Sequence, residues 1–236
     1  MFFIKRKNLI IISVLIIVIL TSLFCFSALS SNSVGNALSN KIKIVLDAGH
    51  GGIDNGVLGV NSGVKESELN LKVVKKLESY LIGAGMNVIL TRCSDAGLYG
   101  VATSNLKRKD MEKRKEIILK AKPDLVISIH MNQFSISSRR GAQVFYKPND
   151  DFGKILADSI QESFNAMEEA PRICSALTGD YYILNCTKYP SVIAECGFLS
   201  NPEDEALLLT EEYQAKIAYS IYKGIVLYFA QINNGQ

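Results

Sequence analysis

Ile42-Lys43-Ile44-Val45-Leu46-Asp47-Ala48-Gly49-His50 is an apolar, largely β-branched run that stops on a glycine and a histidine. Its shortness and its Ile/Val/Leu content read as a strand of a buried sheet. The chain has only two histidines, and the second repeats the pattern: Leu125-Val126-Ile127-Ser128-Ile129 leads into His130. A third run, Ser191-Val192-Ile193-Ala194, ends on Glu195. As neighbouring strands, each of the three would end on a metal-type or acid/base side chain. In open α/β sheets, sites gather at the carboxyl ends of strands.

Further strand-like runs lie at 87–91, 142–146 and 181–184. Between the runs the period changes to that of helices. Leu69, Val73, Val74, Leu77 and Leu81 share one face of a helix over 68–81, stopped by Gly83 and Gly85. Similar spacing predicts helices over 111–121, 151–164 and 211–229. Asn201-Pro202-Glu203-Asp204 looks like a helix start, with Pro early and acids in the first turn. Strands alternating with helices predict an α/β fold: a central, mostly parallel six-stranded sheet with helices on both faces.

The N-terminus has a different composition. Lys5-Arg6-Lys7 precede residues 9–29, an apolar stretch without charge. At about 1.5 Å per residue this covers a hydrocarbon core of roughly 30 Å. The basic flank predicts that the rest of the chain lies outside the cytoplasm. We expect residues 1–30 to be a membrane anchor rather than a cleaved signal segment, 31–40 a small, polar linker, and 41–236 one catalytic domain. The net charge of +3 does not suggest nucleic acid, and the basic stretch 107–122, interleaved with Asp110, Glu112 and Glu116, reads as a solvated helix face. Five scattered cysteines without a CxxC read as free thiols, with a Cys174–Cys186 bridge left open.

The chemistry concentrates in four places. His50 sits in Asp47-Ala48-Gly49-His50-Gly51-Gly52-Ile53-Asp54, where glycines let the backbone bend sharply. Glu66 precedes the Leu69 helix, and His130 and Glu195 end their strands. Two imidazoles and one carboxylate make a three-ligand site for Zn²⁺ with a fourth position open to water. We assign His50, Glu66 and His130 to the metal and Glu195 to acid/base work, with Glu68 and Asp54 as alternatives to Glu66. Arg92 and Asn132 are candidates for orienting substrate.

These residues also match a family. The segments from Leu46 to Asp54, Lys65 to Leu71, Ser128 to Asn132 and Glu195 to Asn201 occur in the order found in zinc-dependent N-acetylmuramoyl-L-alanine amidases (the amidase 3 catalytic domain), which this chain resembles over most of residues 42–231. The resemblance implies His50, Glu66 and His130 as zinc ligands and Glu195 as the catalytic glutamate. It favours Glu66 over Glu68 through the Glu-x-x-x-Asn-Leu pattern ending at Leu71. It implies hydrolysis of the amide between the lactyl group of N-acetylmuramic acid and L-alanine of the peptidoglycan stem. The short loop around 147–151 leaves no room for an inserted inhibitory helix. A single domain behind an anchor resembles the spore-cortex amidases, whose cut prepares muramic lactam. We therefore expect peptidoglycan as substrate, the membrane as tether, and an accessory protein supporting zinc binding or localisation. A zinc peptidase acting on the stem, and a non-catalytic wall-binding regulator, are the competing classes.

Overall fold

The computed structural model describes residues 42–234. The anchor and linker readings fall outside them. Among the described residues no helix is long and apolar enough to cross a membrane.

The elements run β1 (Lys43–Ala48), α1 (Glu66–Gly83), β2 (Asn87–Leu90), α2 (Leu106–Ala121), β3 (Leu125–Asn132), β4 (Gln143–Tyr146), α3 (Asp151–Asn165), β5 (Leu177–Thr178), α4 (Tyr182–Asn185), β6 (Ser191–Phe198), α5 (Pro202–Leu208) and α6 (Glu211–Asn234). The six strands form one sheet in the order β2-β1-β3-β6-β4-β5. The first four are mutually parallel, β4 runs antiparallel to β6, and β5 is parallel to β4.

One expected element changes type. Residues 181–184 read as a strand, but α4 is a single helical turn and the sixth strand is β5. Successive side chains of a strand point to opposite faces. Ile183 and Leu184 instead both sink into the same apolar layer, which a helical turn permits.

Period-two alternation divides the sheet residues between two layers. Ile44, Leu46, Leu125, Ile127, Ile129, Val192 and Ala194 enter the larger core with apolar side chains of α1, α3 and α6. Val45, Val126 and Ile193 point the other way, against Ile118 of α2 and Ile183 and Leu184 of α4. The same alternation puts Asp47, Ser128, His130 and Glu195 on that second face. His130 and Glu195 are direct partners in the β3–β6 register. The site thus follows from strand parity: the larger layer supplies the core, and the smaller one leaves the carboxyl ends of three strands open.

The Asn201 start behaves as its sequence suggests. Its side-chain carbonyl accepts from the backbone N–H groups of Glu203 and Asp204 at 3.0 and 2.9 Å, with Pro202 opening the helix.

Candidate metal centre

His50, Glu66 and His130 converge, with one ligand atom from each lying within 4.8 Å of the others. Glu66 Oε1 is 3.2 Å from His50 Nε2 and 2.9 Å from His130 Nδ1. Ligands about 2.0 Å from a tetrahedral zinc sit roughly 3.3 Å apart, so these spacings fit such an ion, as does the nitrogen–nitrogen–oxygen donor set. Glu68 is an exposed helix residue paired with Lys65. Asp54 is not in the cluster; its Oδ2 lies 3.0 Å from His50 Nδ1, on the far side of the ring from Glu66. There it can fix the tautomer that leaves Nε2 free to ligate.

Glu66 is the first residue of α1 and is buried. Burial opposes its charge. Hydrogen bonds and charge from His130 and His50 overcome this and hold its carboxyl well below the usual carboxylate range. Met131 N–H, Val57 N–H and the Asn70 amide also donate to it, at 3.1, 2.9 and 3.2 Å. Ionised and aimed at two imidazoles, it favours a cation at this point. Burial lowers the pKa of His50, but Glu66 and Asp54 more than offset this and raise it.

The turn that presents His50 is strained and tightly held. His50 adopts φ 61°, a left-handed conformation uncommon for a residue with a side chain. Two buried arginines grip the carbonyls around it. Arg114 donates to Ala48 O and His50 O at 2.7 and 2.5 Å, and to Asp47 Oδ1 at 2.5 Å. Arg92 donates to Ala48 O, Gly49 O and Ser67 O at 2.8, 2.9 and 2.8 Å. Arg92 is only 4 % exposed. Expected as a substrate-orienting residue, it instead braces the backbone around His50, because each of its three nitrogens donates to a backbone carbonyl, Nη1 to Ser94 O at 2.9 Å. Asp47 is fully buried. Burial alone would raise its pKa, but Arg114, Ser128 and Thr91 lower it to about 2. Asp110 completes the arrangement by accepting from Arg114 Nε at 2.6 Å.

The glycines here are steric requirements. A Cβ on Gly49 would meet the His130 ring at 2.2 Å, and one on Gly56 would meet Glu66 Oε2 at 2.4 Å. Gly56 also has φ 68°.

Glu195 stands beside the cluster at 9 % exposure, and its Oε2 is buried without a hydrogen-bond partner. Burial, with a smaller push from Glu66 and an opposing pull from the two histidines, raises its pKa to about 7. A carboxyl with such a pKa and a free oxygen can both take and return a proton near neutrality. The cavity above it holds about 170 Å³ and is walled by Ile53, Tyr99, Met111, Tyr181, Tyr182 and Ile183.

The sequence reading missed Asp47, Arg114, Asp110 and the bracing role of Asn70, which also donates to Gly49 O at 3.1 Å. One signal was available: Asp47, like Glu195, is a carboxylate inside an apolar run. The basic stretch read as a solvated face carries exposed pairs such as Arg108–Glu112, but Arg114 and Asp110 within it face inward. Cys93, Cys174, Cys186 and Cys196 are all free, so no Cys174–Cys186 bridge forms.

Comparison with known proteins identifies the family. A family model described as N-acetylmuramoyl-L-alanine amidase matches residues 44–226. A germination-specific N-acetylmuramoyl-L-alanine amidase of Bacillus subtilis is 38 % identical over 201 residues, covering 82 % of each chain. Among solved structures, the CwlD amidase of Clostridioides difficile, in complex with the GerS lipoprotein, is similar with a TM-score of 0.78 and 38 % identity, over 80 % of this chain and 99 % of that one. The catalytic domain of CwlV, an N-acetylmuramoyl-L-alanine amidase from Bacillus (Paenibacillus) polymyxa var. colistinus, gives 0.69 at 28 % identity, over 80 % and 98 %. On its motifs, its fold and these likenesses, the chain belongs to the N-acetylmuramoyl-L-alanine amidase family.

Proposed function

We propose that this protein is a zinc-dependent peptidoglycan amidase that cleaves the bond between N-acetylmuramic acid and the L-alanine of the stem peptide. The observation that carries the reading is the pairing of a buried, unpartnered Glu195 oxygen with the His50, Glu66 and His130 cluster. In this reading the three ligands hold Zn²⁺, which when bound lowers the pKa of a coordinated water and polarises the scissile carbonyl. Glu195 accepts the proton of the attacking water at Oε2 and returns it to the departing alanine amine. The apolar walls of the cavity exclude bulk water around Glu195. Asp54 lies against the His50 ring, and Arg92 and Arg114 hold the backbone around it; together they keep His50 aimed.

The biological setting follows from the relatives. Similarity to a germination-specific amidase and to CwlD supports a role in spore-cortex maturation. CwlD is in complex with a lipoprotein, which supports an accessory partner here too. The apolar stretch at 9–29, behind its basic flank, supports an anchored enzyme with its domain outside the cytoplasm. Deleting the gene in the producing organism should remove muramic lactam from the cortex. Unchanged muramic lactam would refute the spore role while leaving the chemistry intact.

A further inference from the structure

A second groove lies on the same sheet face as Glu195, on the side away from α2. In the β4–β6 register Gln143 pairs with Glu195 and Phe145 with Ile193, so both β4 side chains share that face. The groove holds about 150 Å³. Its lining includes Asn132, Gln143, Phe134, Arg139, Arg172 and Leu177 of β5. Tyr181, which stacks edge-on with Phe145 at 5.5 Å, lines the main cavity, so the two spaces share a wall.

The groove is cationic, and two of its three arginines are free of acidic partners among the described residues. No acidic residue lines it. Arg140 is engaged with Glu203 and Asp204. Arg139 and Arg172 are exposed and, among the described residues, form no salt bridge. Arg139 instead lies over the Phe134 ring at 4.8 Å, which fixes its side chain against the groove wall. The cavity on the other side of Glu195 is walled by aromatic and aliphatic side chains, its Arg114 being fully buried and its Lys107 paired with Asp54.

The substrate is asymmetric in the same sense. A glycan is uncharged, with apolar ring faces that suit aromatic walls. A stem peptide carries free carboxylates beyond its first alanine. From the strand bearing Glu195 to β5 is two strand spacings, about 10 Å. That is the length of about three extended residues.

We propose that Arg139 and Arg172 form the binding site for the stem peptide's free carboxylates, so that the peptide leaves the reaction centre across β4 towards β5 while the glycan occupies the aromatic cavity. This rests on the amidase reading. It makes the two arginines specificity residues for acidic, non-amidated stems, through charge-assisted and bidentate hydrogen bonds.

The test measures binding of an N-acetylmuramyl tripeptide, with its carboxylates free or fully amidated, to the full chain in detergent. The Glu195→Gln background is used so that ligand is not consumed. We expect the acid to bind at least tenfold more tightly than the amide. Arg139→Gln and Arg172→Gln should each weaken the acid about five- to tenfold and leave the amide unchanged. Equal affinity for acid and amide, equal loss for both in the variants, or no binding of either would overturn the proposal. Cleavage is read separately with Glu195 in place. Acid preference without release of alanine-headed peptide would uphold the groove and sink the amidase reading. Release without acid preference would do the reverse.

Discussion

At the scale of single residues, the site is built from charges that the fold holds at some cost. Glu195 is the clearest case. In the metal-free protein its pKa of about 7 lies above the ordinary value of 4.5, so the folded state binds a proton that the unfolded chain releases. Its effect is therefore absent below about pH 4.5. It lowers stability progressively as pH rises towards 7, by about 3 kcal/mol at the plateau. Glu195→Gln should abolish cleavage and raise the thermal midpoint of the chelator-treated protein at pH 8 but not at pH 4. An equal shift at both pH values would show that desolvation of the charge is not the cause. Asp47 has the opposite sign. Its folded pKa of about 2 gives stability that is present above its unfolded value and lost as pH falls through 2. Removing its partner leaves a buried charge uncompensated, so Arg114→Ala should cost roughly 3–5 kcal/mol in denaturant unfolding. A cost below 1 kcal/mol would mean water enters the site freely. The Asp47–Arg114 pairing was not legible in the sequence, since the two residues are 67 positions apart. His50, His130 and Glu195 were legible because each ends an apolar run where a polar group needs a reason, whereas Glu66, at a helix start, rested on the family pattern.

At the scale of elements, the loop between His50 and Glu66 is rich in Gly and Asn. The structure ties it down from a distance. Glu205 of α5, itself buried, accepts from the backbone N–H groups of Asn61 and Ser62 and from the Ser62 hydroxyl, with contacts of 2.7 to 3.1 Å. The same loop supplies Val57 N–H to Glu66. Helix α5 thus reaches Glu66 of the candidate metal cluster through a loop. Glu205→Ala should leave the fold cooperative but weaken metal affinity about tenfold, as losses of groups supporting ligands do. A chelator competition giving unchanged affinity would refute this coupling. Strand and helix assignments held wherever the period was long and clean. The reading failed at 181–184, where four residues are too few for periodicity to separate a buried strand from a helical turn.

At the scale of the whole molecule, the two faces of the sheet divide the labour. The larger layer, with α1, α3 and α6, carries most of the apolar burial. The smaller layer leaves the carboxyl ends of β1, β3 and β6 open for chemistry. Metal bound only by the folded state should therefore add stability by mass action. At a hundredfold excess over its dissociation constant this is about 2.7 kcal/mol. For a domain of this size that is roughly 5–10 °C in thermal midpoint. Chelation should remove this increment from the native chain and change nothing in His130→Ala. A midpoint unmoved by chelator in both would remove the metal from the account. Strand parity and the order of the runs allowed the architecture to be read from the sequence. The antiparallel β4 and the cationic groove beside it depended on contacts that no local pattern encodes.

The most direct test of the central claim is digestion of denuded peptidoglycan by the full chain, with and without added Zn²⁺, beside Glu195→Ala, with new termini identified by mass spectrometry. The expected result is zinc-dependent release of peptides beginning with L-alanine, absent in Glu195→Ala. Cleavage within the stem instead, or equal release by Glu195→Ala, would contradict it.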